Sequence, residues 1–459
     1  QRVVPRVALV QDNSDSVNSD WVNYEGHAKN CYMNVGGEFA EDCAYCTYAA
    51  NSKEAFDCYW VWQTELCYQT LKSNNCYRTH YSFWCFNCSE AWFSYDCSGC
   101  SNIIGCIGLR NKNYYIFNKE VTHQEYEKFV AENLNGSYAV LEKLRDQAKT
   151  FQLAFPRREN FILKSENCTG HFIDNSKNAR DGWQISELEN CRYVSIAAKT
   201  KDTYDCSCTI DNEHSYENLS VAQGNTVKFG IVNWRGVFNT EYCDQVFGGH
   251  DMFGCIGLRK GEFSILNKKY SEPEYKILRG RIIEDMNAKP YATPAGHEYR
   301  YGEFFPPLLS PFAYNETLAY ENFPISKEQA IPLGYKWHDD ATSRRMPDIQ
   351  ADQLPDNIHD ATDDLLQKII GWQHAGKCAR GGTTVYRLTK QELAYYRKML
   401  LPLPRQCANC RHFERLALLG TPKLYSRQCQ KCQAAIQTPF SPDREEIVYC
   451  EKCYQAELI

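Results

Sequence analysis

The chain has 459 residues, 24 cysteines and a net charge of −6 at pH 7. This length is too great for one ordinary domain, and we expect two to four. Hydrophobic residues make up 43% of the chain and charged residues 24%, a balance that excludes an intrinsically disordered polymer. Since no apolar run approaches the roughly eighteen residues of a membrane-spanning helix, we expect no membrane partner.

The cysteines fall into three groups along the chain. Eleven lie between Cys31 and Cys106, six between Cys168 and Cys255, and seven between Cys378 and Cys453. Disulfide scaffolds are normally short secreted chains, whereas this chain is long and most of its last group stands in CxxC pairs, which are typical of metal ligands. We therefore predict a reducing, cytoplasmic location, with the first seventeen cysteines as small interior residues.

An internal repeat marks the first two thirds of the chain. Residues 105–126 (GCIGLRNKNYYIFNKEVTHQEY) and 254–275 (GCIGLRKGEFSILNKKYSEPEY) align without gaps and are identical at 11 of 22 positions. Each copy ends in a capping box that begins a helix, formed by Thr122 with Glu125 and by Ser271 with Glu274. We expect the first helix to run from about His123 into the 140s with a break near Asn135, and the second from Glu272 to Met286.

Upstream of each helix, the residue spacing is that of short strands. Cys58, Cys67, Cys76 and Cys85 recur every nine residues, and Asn178, Asn190 and Asp202 recur every twelve. Coils of about twenty residues, each made of two short strands, would place such residues in ladders. The pattern predicts a mainly β chain with two tandem β-solenoid (β-helix-like) units, each closed by an α-helix. A β-sandwich with longer strands is the alternative.

Four regions follow from these patterns. We predict a first Cys-rich β-solenoid unit with its helix over 1–150, a second unit with its helix over 151–290, an extended Pro-rich and acidic linker over 291–365, and an α+β zinc-binding module over 366–459. The linker contains eight aspartates between Asp339 and Asp364, which is typical of a solvated segment. Helices are predicted in the last part of the chain at Asp363–Trp372 and Thr389–Met399.

The strongest chemical signal is a pair of CxxC motifs near the end of the chain. Cys429 and Cys432 are followed, seventeen residues later, by Cys450 and Cys453. Two such knuckles bring four thiolates to one tetrahedral zinc ion in zinc ribbons and treble clefs. Iron–sulfur ligation is the alternative. The spacing predicts a structural zinc site, because four thiolates leave no coordination position for water.

A second zinc site is predicted upstream of the first. Cys407 and Cys410 form one further knuckle, and Cys378 with His374 would complete the ligand set. His412 is also near. The alternative is that Cys407 and Cys410 are reduced structural thiols.

The same region is basic. Between Lys377 and Arg427 the chain has eleven basic and two acidic residues. A basic zinc module is a candidate surface for RNA or DNA phosphates, and the candidate residues are Arg405, Arg411, Arg415, Lys423 and Arg427. A solvated basic face, or a dock for the acidic linker, is the alternative.

Several strings resemble a known family of cysteine-rich proteins predicted from uncultured candidate-phylum bacteria. They are GCIGLRNKNYYIFNK, GEFFPPLLSPFAYNET, KQELAYYRKMLLPLPRQCANCRH and CQKCQAAIQTPFSPDREEIVYCEKCY. The resemblance implies a duplicated cysteine-rich region followed by zinc knuckles, and it carries no activity with it. Family members often have CxxCG where this chain has Cys378-Ala-Arg-Gly381, so the expected second ligand of that knuckle is missing.

The sequence contains no GxGxxG, P-loop, GxSxG or HExxH motif. The leading hypothesis is therefore a non-enzymatic zinc-binding scaffold that binds a macromolecule, either protein or nucleic acid, and no small-molecule substrate is predicted. Three alternatives stand beside it. They are nucleic-acid binding through the basic zinc module, a structural assembly subunit, and an enzyme with a cleft between the two units.

Overall fold

The computed structural model describes most of the chain. The described residues are 9, 11–12, 15–186, 195–198, 207–210, 219–221, 224–225, 228, 231–293, 296–303, 306–339, 345–371 and 385–457.

The first part of the chain consists of short strands stacked in parallel. The strands are β1 Gln11–Asp12, β2 Trp21–Gly26, β3 Tyr32–Glu38, β4 Thr47–Ala50, β5 Tyr59–Trp62, β6 Leu71–Asn74, β7 Tyr77–His80, β8 Ser89–Trp92, β9 Ser101–Ile104, β10 Asn113–Ile116 and β11 Lys119–Glu120. Strands β1 to β6 form one sheet and β7 to β11 another, each in sequence order. From β3 to β10, paired residues are 12 positions apart, as in Val35–Thr47 and Tyr59–Leu71. Strands β1 and β2 pair at a separation of 14, and β11 pairs antiparallel with β10. We call residues 21–116 the N-terminal stack.

Every third residue of the N-terminal stack faces its interior. The small residues Ala40, Cys43, Cys46 and Ala49, for example, are at most 1% exposed. The residue two positions after each of them has a positive φ, between 48° and 56°, in Asp42, Tyr45, Tyr48 and Asn51. The left-handed residues turn the chain, and Asn and Asp tolerate this conformation best. The three-residue step therefore sets which side chains are enclosed.

Cysteine suits this interior because its thiol is small and can donate to a nearby carbonyl. The Sγ of Cys43 lies 3.2 Å from the carbonyl of Glu41, and the Sγ of Cys46 lies 3.2 Å from that of Ala55. The eleven cysteines from Cys31 to Cys106 are all buried free thiols. For these eleven, the expectation of small interior residues is confirmed.

The second part of the chain also pairs mostly in parallel. Its strands are β12 Arg157–Arg158, β13 Ile162–Leu163, β14 Gly170–Asp174, β15 Gly182–Ser186, β16 Ser195–Ala198, β17 Ser207–Ile210, β18 Leu219–Val221, β19 Gly224–Asn225, β20 Ile231–Glu241, β21 Phe247–Phe253, β22 Arg259–Ile265 and β23 Lys268–Lys269. Strands β13 to β15 form a three-stranded sheet, and β16 to β23 an eight-stranded one in which β19 pairs only with β20.

The rest of the chain has short strands in pairs and triplets. They are β24 Tyr291–Ala292, β25 Glu298–Tyr299, β26 Ile349–Gln350, β27 Ile370–Gly371, β28 Val385–Tyr386, β29 Tyr425–Gln428, β30 Ala435–Thr438 and β31 Val448–Tyr449. The α-helices are α1 His123–Asn133, α2 Tyr138–Leu153, α3 Glu272–Ala288, α4 Leu318–Asn322, α5 Lys327–Ala330, α6 Lys390–Met399, α7 Ala408–Leu419 and α8 Glu451–Gln455. Short 3₁₀ helices lie at Pro307–Leu309, Tyr314–Glu316, Ala351–Gln353, Ile358–Asp360 and Asp363–Gln367.

The predicted fold class, a mainly β chain with two tandem β-solenoid units each closed by a helix, is wrong. Within the described residues, the strands are divided among several small parallel and mixed sheets. Pairing repeats every 12 residues rather than about twenty, because each repeat consists of four three-residue steps. The nine-residue cysteine spacing is three of these steps. The second part also departs from the first, since strand β20 has 11 residues whereas β4 has four.

The helix starts agree with the sequence. Capping boxes are present at Thr122, Ser271 and Thr389, and the first predicted helix is interrupted between Asn133 and Tyr138. The prediction of a helix at Asp363–Trp372 is wrong. The first residues of this segment form a 3₁₀ helix that ends at Gln367. Strand β27 follows and pairs with β26 and β28.

The two similar segments around GCIGLR make the same local contacts. Asn118 bonds the backbone N–H and C=O of Ile107, and Asn267 bonds those of Ile256 in the same way. Gly105 begins the first segment with φ 67°, and a Cβ there would lie 2.5 Å from the Phe117 ring. The shared residues therefore preserve one turn geometry.

Helix α6 packs against the N-terminal stack. The ring of Tyr395 stacks on that of Phe56 at 4.1 Å, and Tyr396 meets Tyr68 edge to face at 5.7 Å. The core they share extends from Ala44 to Leu403. Within the described part of the chain, no helix is both long enough and apolar enough to cross a membrane. The predicted compartment and domain boundaries stay predictions.

Candidate zinc centre

The first cysteine pair lies at a β-hairpin. Strands β29 and β30 pair antiparallel, and the chain turns between them at Cys429 to Ala434. The N–H of Cys429 donates to the carbonyl of Ala434 at 2.8 Å, and the N–H of Gln433 donates to that of Cys429 at 2.9 Å. Gln433 has φ 64°, which tightens the turn. This geometry turns the thiols of Cys429 and Cys432 towards the same point.

The second cysteine pair lies at the start of helix α8. Strand β31 leads directly into Cys450, the N-cap residue of α8, and Cys453 follows within the first turn. A thiolate at a helix N-terminus is stabilised by the free N–H groups and the helix dipole. The hairpin and the helix are joined at the N–H of Gln430, which donates to the carbonyl of Val448 at 3.0 Å.

The four thiols converge on one point. The sulfur atoms of Cys429, Cys432, Cys450 and Cys453 all lie within 4.8 Å of one another. The Sγ atoms of Cys432 and Cys450 are 3.7 Å apart. A tetrahedral zinc ion with Zn–S bonds of about 2.3 Å separates its sulfurs by about 3.8 Å. The geometry and the donor set therefore fit zinc, and the predicted four-cysteine zinc site is confirmed.

The surrounding groups act unequally on the four thiols. Burial raises the pKa of Cys429, but backbone N–H groups at Cys432, Cys450 and Lys431 outweigh it and lower that pKa to about 6. Burial and hydrogen bonds with the neighbouring thiols raise the pKa of Cys453 to about 12. A zinc dication at the centre would favour the deprotonated form of all four thiols, because each thiolate would then face a positive charge.

The zinc centre is held against the N-terminal stack. Strand β31 pairs in parallel with β12, so that Arg157 faces Val448 and Arg158 faces Tyr449. From helix α8, the hydroxyl of Tyr454 donates to Asp96 at 2.6 Å, and Asp96 is only 3% exposed. The elements that position the cysteines therefore also make the contact between the C-terminal part of the chain and the stack.

Two predicted ligands of the second zinc site can be placed. Cys407 is the N-cap residue of α7, and Cys410 lies in its first turn. Both are buried next to Tyr386. His374 and Cys378 lie outside the described residues, so the second site stays a prediction. His412 pairs instead with Glu321, whose carboxylate lies 3.2 Å from its Nε2.

Three of the five arginines and lysines predicted to contact nucleic acid are buried. Arg411 and Arg415 both bind the carboxylate of Asp57, and Arg405 donates to the carbonyls of Ala351 and Pro355. Their residues are at most 8% exposed. The prediction of an exposed basic surface is wrong for these three, because their charges stabilise contacts inside the protein.

The other two predicted residues lie nearer the surface. Lys423 is exposed and stands 5.0 Å from the centre of the Tyr425 ring. Arg427 is half-buried, and its guanidinium donates to the carbonyl of Ser441 at 3.4 Å. These two residues alone are a small basic surface.

The sequence analysis did not identify the buried carboxylates that hold the C-terminal part of the chain against the N-terminal stack. Asp57 and Asp96 are each at most 3% exposed and bind residues from distant parts of the chain. Asp57 and Asp96 both stand at corner positions of the 12-residue repeat, where most residues face outward. No local pattern marks them, because their partners lie more than three hundred residues away.

Comparison with known proteins agrees with the geometry of the zinc centre. Residues 423–457 match the family described as "Probable treble clef zinc finger". No curated protein matches the chain. Among solved structures, it is similar to one described as an acetyltransferase from Desulfovibrio desulfuricans G20, at 9% identity, with 60% of this chain and 83% of that chain covered. The TM-score of 0.13 is too low for any argument about fold or function. Residues 423–457 therefore resemble a treble clef zinc finger and form a zinc-binding module of four cysteines.

Proposed function

We propose that this protein is a non-enzymatic scaffold in which zinc locks the C-terminal part onto the N-terminal stack, and that it binds another protein. The observation that carries the proposal is the bond from Tyr454 to Asp96. Cys450 and Cys453 flank the start of the helix that carries Tyr454. Zinc at these cysteines would therefore fix the helix in the position from which Tyr454 reaches the stack.

A closed ligand shell supports a structural role for the zinc. Four thiolates fill the tetrahedral shell, and a catalytic zinc normally keeps one position for water or substrate. The buried Arg158 adds to the same contact, since its Nε lies 3.5 Å from Glu451 and its Nη2 4.0 Å from Asp96. The ion pairs of Arg158 and the zinc site thus stabilise the same interface between helix α8 and the N-terminal stack.

The second zinc belongs to the proposal as well. Cys407 and Cys410 begin helix α7, which also carries Arg411 and Arg415. Zinc on Cys378, Cys407, Cys410 and His374 would fix the start of that helix, as the first zinc fixes α8. Both ions would then stabilise helices that contact the stack.

A protein partner is favoured over a nucleic acid. Nucleic-acid affinity depends on exposed cations that displace counterions from phosphates. Of the five candidate residues, only Lys423 and Arg427 are placed to do so. The N-terminal stack exposes large side chains instead, among them Trp21 at 64%, Phe39 at 53% and Trp62 at 51%. Exposed aromatic residues are common anchors of protein interfaces.

Zinc content and hydrogen exchange test the locking role. The N–H groups of Arg157 and Glu159 donate across the interface to Ile447 and Tyr449. We expect Cys432→Ser to lose the zinc and to speed exchange of both amides by roughly tenfold or more, because the strand pair opens more often. Cys168→Ser is the matched control, since Cys168 is partly exposed and lies outside the zinc module. Unchanged exchange in a Cys432→Ser protein that has lost the zinc of the four-cysteine site would contradict the proposal.

Cross-linked capture tests the partner. The full chain is captured after nuclease treatment, alongside a variant with Trp21, Phe39 and Trp62 changed to serine. We expect a defined protein complex with the wild type and its loss in the variant. Loss of the complex on nuclease treatment would favour nucleic acid instead. The absence of any specific complex would count against a scaffold role.

A further inference from the structure

Six exposed side chains form one row along the outside of the N-terminal stack. Successive members are 12 residues apart, and each pairs in parallel with the next. The row consists of Val17, Lys29, Glu41, Lys53, Glu65 and Tyr77. Adjacent members are about 4.8 Å apart, because this is the ordinary spacing of paired strands. We call these six residues the outer row.

The outer row is open to solvent. Val17 is 54% exposed and Tyr77 43%, and the side chains of Lys29 and Lys53 are 56% and 49% exposed. Left-handed residues border the row on both sides, and the chain turns away from it there. The outer row is therefore a narrow, flat strip, and no segment in the described part of the chain buries it.

The four central residues of the outer row alternate in charge. Glu41 binds Lys29 at 2.8 Å and Lys53 at 3.7 Å. Glu65 forms no ion pair with any other described residue. Repulsion between like charges on adjacent strands explains the alternation. It explains neither the unpaired Glu65 nor the exposed apolar residue at each end of the row.

The order of the outer row is complementary to its own reverse. In chain order the row is apolar, positive, negative, positive, negative, apolar, and in reverse order every charge has the opposite sign. Two copies whose rows face each other in antiparallel orientation would bring together Lys29 with Glu65, Glu41 with Lys53, and Val17 with Tyr77. A two-fold axis between Glu41 and Lys53 would generate each contact twice, as in other dimers of this symmetry. Parallel rows would instead place each charge opposite its own copy.

The residues beside the outer row are compatible with this contact. On one side, Phe39, Asn51 and Gln63 carry no charge. On the other side, Glu54 pairs with Lys398 at 2.7 Å, and Asp42 accepts a hydrogen bond from the side chain of Asn30 at 3.0 Å. The acids of that side are thus already engaged within the chain.

We propose that the outer row is a dimerisation surface on which a second copy of this chain docks in antiparallel orientation. Charge complementarity selects a second copy, because a uniformly acidic or basic partner would meet as many like charges as opposite ones. The strip is about 24 Å long and one side chain wide. It buries less than the roughly 800 Å² per partner of a standard stable complex, so we expect a weak dimer that dissociates on dilution and at high salt.

Charge reversal on the full zinc-loaded chain tests the proposal by sedimentation velocity at low salt. Glu41→Lys and Lys53→Glu each place like charges opposite each other at the two-fold axis, so we expect either variant alone to associate at least about tenfold more weakly than the wild type. A mixture of the two variants should regain wild-type association. The mainly positive row of the one would then face the mainly negative row of the other.

The double variant Glu41→Lys/Lys53→Glu separates contacts between copies from those within one row. It places like charges side by side within each row, yet every charge still meets its opposite in the antiparallel dimer. We therefore expect it to dimerise as the wild type does. Lys276→Glu is the matched control, because it reverses an exposed lysine of helix α3 that pairs with Glu272 at 2.7 Å, and it should leave dimerisation unchanged.

Carbodiimide coupling, which joins an amine to a carboxylate in contact with it, tests the orientation. Lys29 and Glu65 are three repeats apart, about 14 Å within one chain, so a cross-link between them arises only between copies. We expect this cross-link in the dimer band. The proposal is overturned if the wild type is a monomer at every concentration, if the single variants dimerise as the wild type does, or if their mixture stays monomeric.

Discussion

The Nη2 atom of Arg411 lies 2.8 Å from Oδ2 of Asp57, although the two residues are 354 positions apart in the chain. Both side chains are buried, at 3% and 0% exposure, and Arg415 approaches the other carboxylate oxygen at 3.3 Å. One aspartate of the N-terminal stack thus holds two arginines of helix α7. Three of the five charges that made the C-terminal region look like a nucleic-acid surface therefore stabilise contacts inside the protein.

Asp57→Asn is expected to destabilise the protein by about 3–5 kcal/mol. Removing one partner of a buried ion pair leaves the other charge without compensation, and here two arginines are left. Urea unfolding monitored by circular dichroism measures the loss. Glu54→Gln is the matched control, because it breaks the exposed pair with Lys398 at 2.7 Å, and such pairs contribute about 0–1 kcal/mol. Equal effects of the two substitutions would refute this account.

Tyr454→Phe tests the contact between the zinc module and the stack. The substitution keeps the ring and removes only the hydroxyl that donates to the buried Asp96. A hydrogen bond to a charged group contributes about 1.5–3 kcal/mol, so we expect a loss of that size with zinc content unchanged. Tyr425→Phe, in strand β29 of the same module, should change the unfolding free energy by under about 0.5 kcal/mol. A zinc-free Tyr454→Phe protein would show that the contact does not act separately from the metal.

Metal analysis distinguishes one zinc from two. We expect two zinc ions per chain in the wild type and one in each of Cys432→Ser and Cys410→Ser. The double variant should bind none, because each substitution removes a ligand of a different ion. One zinc in the wild type, unchanged in Cys410→Ser, would show that Cys407 and Cys410 are structural thiols.

Glu25 makes the stability of the stack depend on pH. Its side chain is 0% exposed, and burial raises its pKa to about 7 against a partly opposing hydrogen bond from Asn34. The folded state therefore keeps its proton at pH values where the unfolded chain, with an ordinary pKa of about 4.5, has lost it. This stabilisation is complete below pH 4.5 and is lost as the pH rises to about 7.

The expected loss is up to about 3 kcal/mol, since one pKa unit corresponds to about 1.4 kcal/mol. Unfolding free energies measured from pH 4.5 to 8 should show this decline in the wild type and a smaller one in Glu25→Gln. Glu38→Gln changes an exposed carboxylate of the next strand and should keep the wild-type slope. A Glu25→Gln protein with the wild-type slope would assign the dependence to other groups.

Local patterns predicted the helix starts and the zinc ligands. The capping boxes at Thr122, Ser271 and Thr389 and the knuckles around Cys429 and Cys450 involve residues within a few positions of one another, so their geometry follows from sequence alone. The repeat length of the N-terminal stack could not be predicted in this way. Its cysteines pointed to an enclosed interior, but a spacing of nine is compatible with several coil lengths, and only the pairing of Tyr59 with Leu71 shows the repeat of 12.

By itself, then, the sequence determined which residues could bind zinc, where the helices capped by Thr122, Ser271 and Thr389 begin, and which small residues are enclosed. The tertiary structure alone decided what the charged residues do. Arg405, Arg411 and Arg415 look alike in the sequence to the exposed Lys423, and their burial depends on partners such as Asp57 from the opposite end of the chain. A charge is neutralised by whatever lies within a few ångströms in space, and neighbours in sequence do not reveal that.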